Sequence, residues 1–133
     1  MQVSPTQRTL KALRDQGFVC GMVERWQAQS GVRQDLFGFI DIICMTDAGV
    51  LAVLSTGTAF SEHYKKITHD CAIHARQWIQ MPNARLQLWG WRKVKKVRGG
   101  KQMVYRPRVH EFSLQDFDGS LPDLMQEDVA VGF

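Results

Sequence analysis

The chain has 133 residues, 44% of them hydrophobic and 23% charged, with a formal net charge of +4 at pH 7. That balance lies outside the composition of disordered chains, and the length suffices for one domain that buries roughly two thirds of its unfolded surface, so a true core is expected. No run nears the roughly 18 apolar residues of a membrane span, and the opening MQVSPTQRTLKALRDQG lacks the apolar stretch of a secretory leader.

In chain order, Ser4, Pro5 and Gln7 have the spacing of a helix cap, first turn and capping-box partner, and Gly17 stands where a helix ends. Residues 5–16 are therefore predicted to form a short amphipathic helix. Residues 18–23 form a β-type run. Residues 36–45, LFGFIDIICM, hold one charge in an apolar stretch and read as a buried central strand, which a short turn at Asp47-Ala48-Gly49 joins to a strand over residues 50–54. Phe60, Tyr64, Ile67, Cys71, His74 and Trp78 then recur at helical spacing, which predicts one long helix that stops at Met81-Pro82. Residues 85–97 and 102–112 flank Arg98-Gly99-Gly100-Lys101, the pattern of a β-hairpin. The order α, β, β, β, α, β, β predicts an α/β fold with a mixed central sheet flanked by helices, plus a basic C-terminal β-hairpin, and allows a parallel pairing after the long helix.

Charge is divided into opposed blocks. Residues 71–110 hold ten Lys and Arg and no acid, whereas residues 111–133 hold six acids and no Lys or Arg. The expected organisation is a domain over residues 1–112 and an acidic tail over residues 113–133, which either folds back to compete for the basic surface or keeps the chain soluble. Such a basic block matches a polyanion, and DNA is the expected partner, contacted by Lys65, Arg92, Lys93, Lys95, Lys96, Arg98, Lys101, Arg106 and Arg108. A solvated hairpin without a role is the plain alternative. Trp89 and Trp91 share one strand face beside Arg92 and Lys93, and fit either packing on a helix or stacking on unpaired bases.

Asp41 is the charge inside the central strand, on the face that alternation assigns to Phe37, Phe39 and Ile43. A carboxylate there needs a metal, a cationic partner such as Arg25 or Arg33, donor hydrogen bonds or an opening to water. Glu24 closes the first strand and Asp35 opens the second, so pairing of the two would bring carboxylates together as Mg²⁺ requires. His63, His69, His74 and His110 lack the spacing of a zinc site, and His74 falls on the apolar stripe as a core histidine would. The three cysteines, Cys20, Cys44 and Cys71, show no CxxC spacing and read as reduced thiols of a cytoplasmic protein, with neither disulfide nor structural zinc.

The runs Val23-Glu24-Arg25-Trp26, Arg33-Gln34-Asp35-Leu36-Phe37-Gly38-Phe39-Ile40-Asp41, Tyr64-Lys65-Lys66-Ile67 and Trp89-Gly90-Trp91-Arg92-Lys93 resemble small phage and prophage proteins of the PD-(D/E)XK nuclease superfamily, of the Holliday-junction-resolvase-like kind. The resemblance spans residues 6–112. It implies a restriction-endonuclease-like αβββαβ core, Asp41 as the metal-binding aspartate of the second strand, Glu24 as the first acid, and a homodimer. The third strand departs from that pattern, with Leu54 and Thr56 where an acid and a lysine belong. Glu62, Lys65 and Lys66 follow closely enough in principle to compensate, but Glu62 fits better as a complement to the helix N-terminus and the two lysines as phosphate contacts. The expected function is DNA binding on a nuclease fold, with at most a weak Mg²⁺-dependent endodeoxyribonuclease activity in which Asp41, Glu24 and Lys66 are catalytic and Asp41 and Asp35 hold the metal. The alternatives are a catalytically inactive accessory or phage-encoded inhibitor that acts by binding, and a protein-protein adaptor.

Overall fold

The computed structural model describes residues 3–27 and 32–117, with the side chains of residues 25–27, 32 and 33 excepted. Helix α1, Pro5–Asp15, starts as its sequence dictates: Gln7 N–H donates to Ser4 Oγ at 3.1 Å, and the Gln7 side chain accepts Ser4 N–H at 3.4 Å. Short strands follow as β1 (Val19–Met22), β2 (Arg25–Gln27) and β3 (Val32–Gln34), then β4 (Ile42–Thr46) and β5 (Gly49–Thr56). After α2 (Phe60–Lys65), a π-helical turn (Lys66–Asp70) and α3 (Ala72–Gln80) come the long strands β6 (Ala84–Lys95) and β7 (Met103–Glu111), and a 3₁₀ turn, Leu114–Phe117.

The result is an α/β fold around a five-stranded mixed sheet in the order β1-β4-β5-β6-β7, with β2 and β3 as a separate antiparallel pair. All neighbours in the large sheet are antiparallel except β5 and β6, which run parallel with Val50 opposite Ala84 and Thr56 opposite Gly90. The helical segment between them supplies the crossover that a parallel pair needs. One face of the sheet packs Ile42, Cys44, Leu51, Val53 and Trp89 against Leu10 and Leu13 of α1; the other packs Ala52, Leu54, Leu86 and Leu88 against Phe60, Ile67, Ala72 and Ala75. Each leucine-sized side chain removed from water contributes about 1.5–3 kcal/mol, so both helical layers are held chiefly by burial.

Three expectations need correction. The strand over residues 36–45 begins only at Ile42: Leu36 and Ile40 exchange backbone hydrogen bonds at 2.9 and 3.0 Å, closing a tight turn with Phe37 at φ +56° and Gly38 at φ +82°. Glycine at position 38 makes that turn accessible, and an apolar run does not distinguish a buried turn from a buried strand. Phe37 consequently points to solvent, 56% exposed, while Phe39 is fully buried. The long helix is likewise broken at Lys66–Asp70, where Cys71 N–H reaches back to Lys66 O at 2.8 Å. Thr68 Oγ1 donates to Tyr64 O at 2.9 Å within this turn. The predicted order also lacks the antiparallel β2–β3 pair that precedes residue 36, which no strong alternation announced.

Residues 114–117, assigned from sequence to the acidic tail, dock on the domain: Phe117 is fully buried beside Phe112. The remainder of the tail, and its expected competition for the basic surface, lies outside the described residues. Among the described residues, no helix is long and apolar enough to cross a membrane.

Candidate metal centre and basic surface

Asp41 immediately precedes β4 and is 4% exposed. Its N–H donates to Val53 O at 2.9 Å, although Val53 already faces Ile42, so two residues share one partner and the chain kinks as at a bulge. The kink turns the carboxylate onto the β5 backbone, where Oδ2 accepts Ser55 N–H at 2.9 Å. Val23 N–H donates to Asp41 O at 2.9 Å, which ties the end of β1 to the same point and carries Glu24 alongside. Asp35 arrives from the other side, at the start of the tight turn.

One carboxylate oxygen each from Glu24, Asp35 and Asp41 lies within 4.8 Å of the other two. Burial, a hydrogen bond shared with Asp35, and the nearby charges of Asp35 and Glu24 push the Asp41 carboxyl up to about 8, against which the Ser55 N–H is a weaker opposing influence. Hard oxygen ligands at this spacing suit a divalent cation such as Mg²⁺, and a buried carboxyl that resists ionisation is what such a cation would relieve. Lys66, at the start of the π-helical turn, places Nζ 3.6 Å from Asp35 Oδ2. Sequence reasoning thus named all four residues that the fold brings together. The side chains of Arg25 and Arg33, weighed as partners for Asp41, lie outside the described residues.

The third-strand positions are apolar and enclosed. Leu54, between the two residues that Asp41 bonds, is 1% exposed and belongs to the core under α2; Thr56 is also buried. Neither supplies an acid or a cation. Glu62 is exposed in the first turn of α2, and Lys65 is exposed on the same helix.

The basic residues are divided by the sheet. In the β6–β7 register Arg92 faces Arg106 and Gly90 faces Arg108, which sets these three arginines on the face that carries α2. Lys93 and Lys95 face Tyr105 and Met103 on the α1 side. Lys96, Arg98 and Lys101 are exposed in the connection between the strands. Arg108 lies over the Phe60 ring with its guanidinium carbon 4.1 Å from the centroid, and Arg8 covers Tyr105 at 3.7 Å.

Of the two readings for the tryptophans, packing holds. Trp89 is 5% exposed, and Trp91 Nε1 donates to Thr9 Oγ1 of α1 at 2.7 Å. His74, expected in the core, is exposed and stacks on Phe37 with ring centroids 6.3 Å apart, because the break in the helix moves α3 out of the predicted phase. Sequence reasoning missed the network around Asp116. Its carboxylate accepts the Tyr64 hydroxyl at 2.9 Å and Ser113 N–H at 2.8 Å and contacts His110 Nε2 at 2.9 Å. Burial alone would raise the Asp116 carboxyl, and these donors outweigh it, holding the group below the usual carboxylate range. No local pattern marks these residues, since Tyr64 and Asp116 meet only through the fold. Cys20 and Cys44 face each other across β1 and β4 as free thiols, Sγ to Sγ 2.8 Å, and burial pushes the Cys44 thiol up.

Compared with known proteins, the chain matches no family model, no curated protein and no solved structure.

Proposed function

We propose that this protein is a divalent-cation-dependent phosphodiesterase acting on DNA, built on a restriction-endonuclease-like αβββαβ core with an appended basic hairpin. The observation that carries this reading is the meeting of Glu24, Asp35 and Asp41 within 4.8 Å at a buried kink between β-strands. The order of α1, the antiparallel β1-β4-β5 run, a helical crossover and a parallel β6 supports the proposed core, with β2 and β3 as an insertion.

Asp41 and Asp35 would hold the cation, with Glu24 completing or orienting the set. The bound cation, Mg²⁺ by donor chemistry, would supply charge neutralisation at a phosphate and a water of lowered pKa. Lys66, beside Asp35, takes the place of the missing third-strand lysine and offers its ammonium to the phosphate oxygens as negative charge develops. The Ser55 N–H fixes one Asp41 oxygen and with it the direction in which the carboxylate meets Asp35 and Glu24.

The enclosed Leu54 and Thr56 favour one other reading, a nuclease-fold protein that binds DNA without cutting it. Incubating the chain with branched, linear and single-stranded DNA and Mg²⁺ or Mn²⁺, beside Asp41→Asn, separates them. Cleavage lost in the variant supports the phosphodiesterase; equal binding by both proteins without cleavage supports the accessory. If neither protein binds DNA, both readings fall.

A further inference from the structure

The basic block reads as one continuous patch in the sequence, yet the β6–β7 register assigns its strand residues to opposite faces. Arg92 and Arg106 are directly opposed, a like-charged cross-strand pair that disfavours the sheet by some tenths of a kcal/mol. Arg108 lies one same-face position further along β7. Among the described residues none of the three forms an ion pair with a carboxylate. Elsewhere on β6 the fold does neutralise an arginine: Arg85 and Glu111 are joined by two hydrogen bonds, at 2.6 and 3.0 Å.

The arginine face also has relief. Two adjoining hollows, of about 310 and 230 Å³, meet at Phe60, Ser61 and Arg108; the first continues to Tyr64 and His110, the second to Gly57, Thr58, Gly90 and Arg92. Gly90 is what admits the Phe60 ring onto the strand, since a Cβ there would sit 2.6 Å from Phe60 Cδ2. The ring in turn holds the Arg108 guanidinium flat between the hollows. On the opposite face, Trp91 is bonded to α1 and Tyr105 is capped by Arg8, so the aromatics beside Lys93 and Lys95 are engaged internally.

We infer that Arg92, Arg106 and Arg108 form a phosphate-binding track for a nucleic-acid strand, on the face of the sheet that carries α2, and that Lys93 and Lys95 on the other face take no part. The inference rests on the proposed function and deepens it by assigning the route of the substrate. Lys66 joins Asp35 from the helical segment on this same face, so the helical layer beside the track also reaches the acid cluster. Across the sheet β6 lies about 10 Å and β7 about 14 Å from β4, and Arg92 and Arg106 stand four residues, roughly 13 Å, further along the strands than Asp41, a reach of a few nucleotides from the proposed cation. Guanidinium groups suit phosphates better than ammonium groups because the fork binds two oxygens at once.

The test measures binding of a labelled DNA oligonucleotide, single-stranded and duplex, in EDTA across a salt series. Arg92→Gln with Arg108→Gln is compared with Lys93→Gln with Lys95→Gln, all four being exposed positions whose variants are first checked for unchanged melting. Affinity is expected to fall at least tenfold in the arginine pair, and the salt slope to fall by roughly 1.8 on duplex and roughly 1.4 on single-stranded DNA, for two lost phosphate contacts. The lysine pair should stay within about threefold of the parent, the residue of long-range charge alone. Equal losses in the two pairs, or a loss confined to the lysine pair, would overturn the track, as would an unmodified chain that fails to bind DNA. Heparin bound with equal affinity and the same arginine dependence would overturn its assignment to nucleic acid. Cleavage assays with Mg²⁺ keep the two readings apart. Arginine-dependent binding without cleavage retains the track and rejects the phosphodiesterase, whereas cleavage indifferent to the arginine pair does the reverse.

Discussion

Asp41 and Ser55 are joined by a hydrogen bond of 2.9 Å in which a side-chain oxygen accepts the backbone N–H at the end of β5. The residue that interrupts an apolar run thereby completes the hydrogen bonding of the neighbouring strand, and the same kink aims it at Glu24 and Asp35.

This carboxyl sets the pH dependence of stability. Its ionisation is raised from 3.8 to about 8 in the folded chain, so between those values the folded state holds a proton that the unfolded state has released. Stability from this group is complete below about pH 4 and declines as pH rises toward 8, by a total on the order of a few kcal/mol. Thermal melts without divalent ions are expected to show a falling Tm from pH 5 to pH 8, flattened in Asp41→Asn. Addition of Mg²⁺ should raise Tm more at pH 8 than at pH 5, because the cation favours the ionised form. A Tm that rises across this interval in the parent and the variant alike would contradict the assignment.

Removing the charge at position 41 is expected to abolish Mg²⁺-dependent DNA cleavage, by a hundredfold or more, while Ser55 keeps its acceptor in the Asp41→Asn side chain. Lys66→Met should lower the rate by about tenfold with a smaller change in metal affinity, since the ammonium contacts Asp35 rather than completing the ligand set. Single-turnover rates and calorimetric titration with Mn²⁺ check the two effects separately.

Leu54 stands between the two β5 residues that Asp41 bonds, and it is enclosed under α2. Leu54→Glu with Thr56→Lys is therefore expected to destabilise the metal-free chain by about 3 kcal/mol or more, through the burial of new polar groups. Mg²⁺ should recover part of that loss and raise the cleavage rate above the parent's. Melting curves with and without Mg²⁺, beside a cleavage assay, measure both outcomes.

One buried hydroxyl adds polar contacts to the apolar docking of α1. Thr9 Oγ1 lies 2.9 Å from Pro5 O, 2.7 Å from Ser55 Oγ and 2.7 Å from Trp91 Nε1, in a fully buried position. Thr9→Val keeps the shape and leaves Ser55 and Trp91 without that partner, at a cost of about 1–3 kcal/mol. Chemical denaturation with an unchanged m-value would confirm a loss of stability rather than a change of fold.

Much of this protein is legible in its residues because the relevant signals are local. The capping box at Ser4 and Gln7, the glycine-bearing turn between two basic arms, and the single carboxylate in an apolar run each depend on neighbours within a few positions, where hydrogen bonding and side-chain periodicity act. Those signals placed α1, β6 and β7 within a residue or two and singled out Asp41, while Glu24 and Asp35 are marked by their places at expected strand ends and Lys66 only by the resemblance to nucleases. What only the tertiary structure decided depends on contacts that sequence spacing does not encode. The turn at Phe37 and Gly38 satisfies the same apolar pattern as a strand and is distinguished by how Leu36 and Ile40 pair. A π-helical turn at Lys66–Asp70, closed by Cys71 N–H on Lys66 O, interrupts the helix, and His74 lies outside the core. The register between β6 and β7 is likewise a relation between distant residues: it sends Arg92, Arg106 and Arg108 to one face and Lys93 and Lys95 to the other, although the chain carries them as one block. Burial follows the same logic, since the elevation of the Asp41 carboxyl arises from the β5 backbone and two acids brought beside it by folding, a surrounding that no stretch of the chain contains on its own.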